Sequence, residues 1–196
     1  MKVLLRSGVQ VEIASANAGY VHAYLELIRE LANDDESYIL VNYSGTVPTL
    51  ETISQRALAW NNGNIIMHFA LDGERVIGFC GQRIGPSYGP DLQSHVSEVW
   101  YAVSRNFRGS GLIYALISVA LRSVNVKYLE AYVDTRNQRS AALLEKLGLK
   151  RLLIIHENIL DRKRGIFADD YLYRGTKDVA LLQTSRIIDE RGPTFL

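Results

Sequence analysis

Residues 97–124 read SEVWYAVSRNFRGSGLIYALISVALRSV, and the order strand, glycine loop, amphipathic helix constrains the fold more than any other stretch. Val99, Trp100, Tyr101 and Val103 are β-branched or aromatic and suit a pleated, half-buried strand. Leu112, Leu116, Val119, Ala120 and Val124 recur at helical spacing and give the helix one apolar side. Residues 128–134 read as the next strand, so the helix is a right-handed crossover to a parallel partner. Open sheets bind ligands in the crevice at such crossovers.

The joint itself is Arg108-Gly109-Ser110-Gly111. A helix N-terminus carries unpaired N–H groups and a partial positive charge, and glycine lets an anion approach the backbone closely. With Arg108 beside it, the loop suits a phosphate or diphosphate. On these four residues alone, a tight turn whose glycines serve only the backbone stays open. The loop lacks the Gly-Lys-Ser/Thr of a Walker loop. It comes close to a dinucleotide fingerprint, with Glu130 near the ribose-acid position, but Tyr114 replaces the third glycine. Five residues, 104–108, also separate strand from first glycine, too many for that tight turn.

Taken in order, residues 9–13 alternate apolar and polar and read as a first strand. Ser15 or Asn17 caps a helix reaching about Leu31. The acidic run at 33–37 reads as a solvated loop rather than one that attracts an amine. Thr49 caps a second helix ending near Trp60. Residues 65–71 and 75–84 form a hairpin about Asp72-Gly73. The loop at 85–90 is long enough to line a pocket mouth. Beyond the central unit, residues 137–147 are a helix closed by Gly148, and 150–155 and 167–173 are two last strands. From Gly175 the pattern weakens, with residues 179–182 available for further pairing. The expected fold is α/β, in the order β-α-α-β-β-β-α-β-α-β-β, a mixed sheet with helices on its faces. One domain spans 1–196, with a core at about 9–174 and an extension at 175–196.

Composition narrows the partners. With 22 basic and 21 acidic residues, the net charge of +1 gives no electrostatic case for nucleic acid or an anionic membrane. The lone Cys80 cannot form an internal disulfide and reads as a small core residue, which fits a reducing cytoplasm. No apolar run approaches the roughly 20 residues that span a bilayer, and residues 1–6 are too short an apolar stretch for a signal peptide. Four scattered histidines give no metal-ligand spacing.

Val103 followed by Arg108-Gly109-x-Gly111 resembles the acetyl-CoA loop of the GNAT superfamily of N-acetyltransferases, Gln/Arg-x-x-Gly-x-Gly/Ala after a central strand. Asn137, Ser140-Ala141, Leu144 and Gly148-Leu149 resemble that family's second motif, Asn-x-x-Ala, a tyrosine, then Gly-Phe. The resemblance covers roughly residues 9–173. It implies a mostly antiparallel, centrally splayed sheet and acetyl-CoA as cofactor. The diphosphate would rest on the loop beside Arg108, on the amides of Gly109, Ser110, Gly111, Leu112, Ile113 and Tyr114. The pantetheine arm would pair with the backbone of Tyr101, Ala102 and Val103, with Asn137 turned toward it. A bulky side chain at Gly111 is expected to block the cofactor and leave the fold.

The acceptor implied is a primary amine, on a small molecule or a protein. An alkyl amine attacks only when unprotonated, and its pKa is near ~10.4, so a base is needed. Glu98 is the choice for base, with His95 a second candidate. Two positions depart from the family: Ile113 crowds the helix start, and Leu144 stands where a tyrosine protonates the thiolate. Tyr132 is the chosen substitute acid, with Tyr101 and Tyr173 also considered. These departures keep open a non-catalytic CoA-binding sensor. Exposed strand edges and the 175–196 tail allow a homodimer.

Overall fold

The computed structural model describes residues 1–196 apart from the side chain of Arg191. The chain runs β1 (Lys2–Leu4), β2 (Gln10–Ser15), α1 (Val21–Ala32), α2 (Leu40–Ser44), α3 (Leu50–Ala57), β3 (Ile65–Asp72) and β4 (Arg75–Ile84). It continues α4 (Gly89–Gln93), β5 (Val96–Val103), α5 (Leu112–Arg122), β6 (Tyr128–Asp134), α6 (Gln138–Lys146), β7 (Lys150–Asp161), β8 (Ile166–Thr176), α7 (Lys177–Arg191) and β9 (Thr194–Phe195). All nine strands join one sheet in the order β7-β8-β6-β5-β4-β3-β2-β1-β9.

Helices cover both faces. Val99, Val103, Leu129, Ala131 and Val133 point to the side of α5, α6 and α7, where Leu112, Leu116, Leu144 and Ala180 complete the larger core cluster. Met67, Phe69, Leu71 and Phe79 point the other way, against Leu27, Ile28 and Leu31 of α1. Strand β3 is therefore wanted apolar on both faces, and its sequence runs apolar without alternation.

The feature that makes a site is the β5–β6 pair. These are the parallel neighbours, yet they pair only at Val96–Tyr128, Ser97–Leu129 and Glu98–Glu130. Beyond Glu98 the strands diverge, so the β6-facing edge of residues 99–103 finds no partner in the sheet. The rest of the sheet is antiparallel.

Several expectations need correction. Residues 10–13 fall in the second strand, with Val9 just before it, because residues 2–4 add β1 between β2 and the edge strand β9. Residues 177–191 form helix α7, so the stretch 179–182 pairs with nothing. Its apolar residues do not share one side: Val179 and Leu182 are exposed while Ala180 and Thr184 are fully buried. That scatter hides a helix from any periodicity test. The acidic run is solvated only in part: Asp35 and Glu36 are exposed, but Asp34 is only 6% exposed.

Candidate active site

The turn into α5 is built by two residues that only glycine suits. Gly109 and Gly111 have φ of +76° and +89°, which an L side chain adopts at a steric cost. A Cβ on Gly109 would meet nothing within 4 Å, so open space stands over the loop. Among the described residues, the N–H groups of Gly109, Gly111 and Ile113 donate to no protein acceptor. Free amides at a helix N-terminus, under open space, form a cradle for an anion. Tyr114 is different, because its N–H donates to the Gly111 carbonyl (3.0 Å). Ser110 shapes the turn: its Oγ donates to Phe107 O (2.6 Å) and accepts from the Leu112 N–H (3.4 Å). Leu112 is a core residue, and Ile113 packs against the core while also lining the cleft.

Gly111 is not free in the same way. A Cβ there would lie 2.9 Å from Pro193 Cδ. A bulky substitution at Gly111 would therefore displace the C-terminus as well as block the loop, contrary to expectation.

Arg108 is held by the acidic run and by the end of β5. Its Nη2 lies 2.5 Å from Asp34 Oδ2, its Nη1 3.8 Å from Glu36, and its Nε donates to Val103 O (3.3 Å). Glu36 in turn holds Arg139 of α6 at 2.7 Å. The acidic run thus fastens the loop, α6 and the α1–α2 connection together.

One cleft of about 1820 Å³ runs from this loop through the splay to the space under α2 and α3. Single-ligand pockets measure roughly 300–1,000 Å³, so two reactants fit end to end. Tyr101, Ala102 and Val103 line its middle, as does Asn137. Asn137 caps α6, its Oδ1 accepting the Ser140 N–H (3.1 Å), and its amide nitrogen makes no hydrogen bond among the described residues. The Tyr101 hydroxyl sits 2.7 Å from Ser140 Oγ, and burial holds its phenol well above the usual range.

Side chains at alternate positions of β5 and β6 project from the opposite face. There Glu98, Trp100, Tyr132, Asp134 and, from β8, Asp170 line the far end of the cleft with Tyr38, Tyr43 and Trp60. Trp100 lies across β4 at Gly81, where a Cβ would fall 2.3 Å from the indole. Glu98 pairs with Arg83 and keeps 19% of its side chain exposed. Tyr132 is 41% exposed; partial burial, then Glu130 and Glu98, push its phenol up. The two residues chosen for acid–base work therefore share one chamber.

The other candidates stand elsewhere. Tyr173 is fully buried and donates to Glu145 (2.9 Å), its phenol pushed up to about 12 by burial and that carboxylate. His95 lies outside the cleft, at the start of β5, where its carbonyl accepts the Lys127 and Tyr128 amides. Cys80 is buried and its thiol pushed up to about 12. Leu144 is 2% exposed, within the core.

A buried ionic network escaped the sequence. Asp134 accepts from Arg136 Nε and Nη2 (2.9 and 2.6 Å) and from the Tyr43 hydroxyl (3.1 Å). Arg136 and Arg164 both reach Asp161, at 3.0 and 2.9 Å. This network ties α2, the roof of the chamber, to β6 and the β7–β8 hairpin. Asp134-x-Arg136 at a strand end was its one local signal; the other partners are distant in sequence.

A family model described as the Acetyltransferase (GNAT) family matches residues 20–149. The chain belongs to the GNAT acetyltransferases. It is accordingly an acetyl-CoA-dependent N-acetyltransferase, and the free amides, open space and splayed strands fit that cofactor. Similar solved structures include a GNAT acetyltransferase from Streptococcus pneumoniae, 16% identical with TM-score 0.72, covering 85% of this chain and 99% of that one. A ribosomal-protein-alanine N-acetyltransferase from Brucella melitensis is 19% identical with TM-score 0.71, covering 84% and 99%. A phosphinothricin acetyltransferase from Sinorhizobium meliloti, solved with acetyl-CoA, is 18% identical with TM-score 0.70, covering 85% and 88%. A search of curated proteins found no sequence match. Among the described residues, no helix of this GNAT chain is long and apolar enough to cross a membrane.

Proposed function

We propose that this GNAT chain transfers the acetyl group of acetyl-CoA to a primary amine, on a small molecule or a protein, by direct attack on the thioester. Bound acetyl-CoA supplies an electrophilic carbonyl carbon with a thiolate leaving group. The amides of Gly109, Gly111 and Ile113 hold its diphosphate, and the free edge of residues 101–103, with Asn137, takes the pantetheine arm. Glu98 accepts the proton that the acceptor's ammonium must lose before its nitrogen can attack. Unpaired N–H groups along the β6-facing edge of β5 stabilise negative charge on the carbonyl oxygen. Tyr132 keeps its proton at neutral pH and donates it toward the departing sulfur. The aromatic lining of the far chamber favours an amine with an apolar body.

The observation that carries this reading is the shared cleft, with free amides at one end and the Glu98 carboxylate at the other. The test is release of free thiol from acetyl-CoA across a panel of arylalkyl amines, polyamines and peptides. Glu98→Gln should lower kcat/KM by about 10²-fold, and the deficit should shrink as pH rises toward the amine's own pKa. An undiminished Glu98→Gln rate removes Glu98 as base. One observation favours a second reading: Leu144 is buried and apolar where the family's tyrosine stands. Binding of CoA without thiol release for any amine would establish that non-catalytic sensor instead.

A further inference from the structure

A guanidinium adds charge-assisted hydrogen bonds to a phosphate already held by amides; the charge of Arg108 is offset by Asp34 and Glu36, with its Nη1 left without a hydrogen-bond partner among the described residues. Arg6 stands on the other side of the loop. Its N–H donates to Ser110 O (3.4 Å), and its Nε lies 3.6 Å from the position of a Cβ on Gly111. It lines the same cleft as Gly109 and Gly111, is exposed, and makes no side-chain ion pair among the described residues. Among the cations along the cleft, Arg6 is the one whose guanidinium stands against Gly111.

The placement is built rather than incidental. Val3 and Leu5, flanking this edge, are core residues. Strand β9 pairs with β1, and the Leu196 N–H donates to Lys2 O (3.1 Å). That pairing sets Pro193 against Gly111. Both termini lie outside residues 20–149, the part shared with the family.

We propose that Arg6 holds a phosphate group of coenzyme A, on a platform made by both chain termini, while Arg108 fastens the loop to the α1–α2 connection. This rests on the acetyl-CoA reading above and adds a ligand from outside the family's motif.

Calorimetric titration of coenzyme A into the full chain tests it. Arg6→Ala should bind about tenfold more weakly than the native chain, Arg6→Lys should recover part of the loss, and raised salt should narrow the difference. Arg122→Ala removes the same charge from the far end of α5 and should leave affinity unchanged. Arg6→Gln, which keeps most of the stem, replaces Arg6→Ala if the latter melts early. Titration with 3′-dephospho-coenzyme A assigns the contact: a persisting loss places Arg6 on the diphosphate, a vanishing one on the 3′-phosphate, and either supports the proposal. Equal affinity of Arg6→Ala and the native chain overturns it and leaves the acetyl-CoA reading standing, as does an equal loss in Arg122→Ala. No binding by the native chain overturns both.

Discussion

Asp170 is 2% exposed; Asn158 donates to its Oδ2 (2.7 Å), and its Oδ1 has no partner. Burial raises its pKa, Asn158 opposes, and the Asp134 and Asp169 charges add to the rise. A carboxyl whose folded pKa lies above the unfolded ~3.9 favours the fold at low pH and loses that contribution as pH climbs through the folded value. Asp170→Asn should therefore raise Tm, by little at pH 3 and progressively more toward pH 7. Melting curves across that range check it, and a pH-independent difference would contradict the assignment. At this scale the sequence revealed what is local. Gly109 and Gly111 announce a tight turn, and residues 137–148 announce a helix and its stop. It could not reveal Arg108's partner, because Asp34 is 74 positions away and its burial depends on how α1 ends.

Among elements, the join between the cofactor loop and the α1–α2 connection matters most. Arg108 is 25% exposed and Asp34 is buried, so Asp34→Ala leaves a mostly buried guanidinium with Glu36 as its one nearby carboxylate among the described residues. The expected loss is about 2 kcal/mol, below the figure for fully buried pairs. That corresponds to about 6 °C in Tm for a chain of this size, readable by calorimetry. An unchanged Tm would mean that the Arg108–Asp34 pair does not hold the loop to the α1–α2 connection. Helices with one apolar side and strands with β-branched runs were legible before the structure, α5, β6 and α6 among them. Helix α7 was not, because the exposed Val179 and Leu182 interrupt the side formed by Ala180, Leu181, Thr184 and Ile187. Helix α2 is five residues long, too short to show a period.

For the whole molecule, the sheet is continuous from the β7 edge to β9, yet its middle is pried open at β5 and β6. That opening joins two chambers whose residues come from distant parts of the chain. Motif spacing pointed to the glycine-loop end, since its residues are consecutive. The far end of the cleft is assembled from α2, β5, β6 and β8 and has no linear signature. The termini read as an edge and a tail, yet they meet at the glycine loop because β9 pairs with β1.

The central claim is that main-chain donors at the start of α5 hold coenzyme A. The most direct measurement follows backbone amide resonances of the full chain as coenzyme A is added. Gly109, Gly111 and Ile113 should shift most and with a common saturation curve, while amides of the β7–β8 hairpin stay still. Saturable binding that leaves those three amides unmoved would contradict the account.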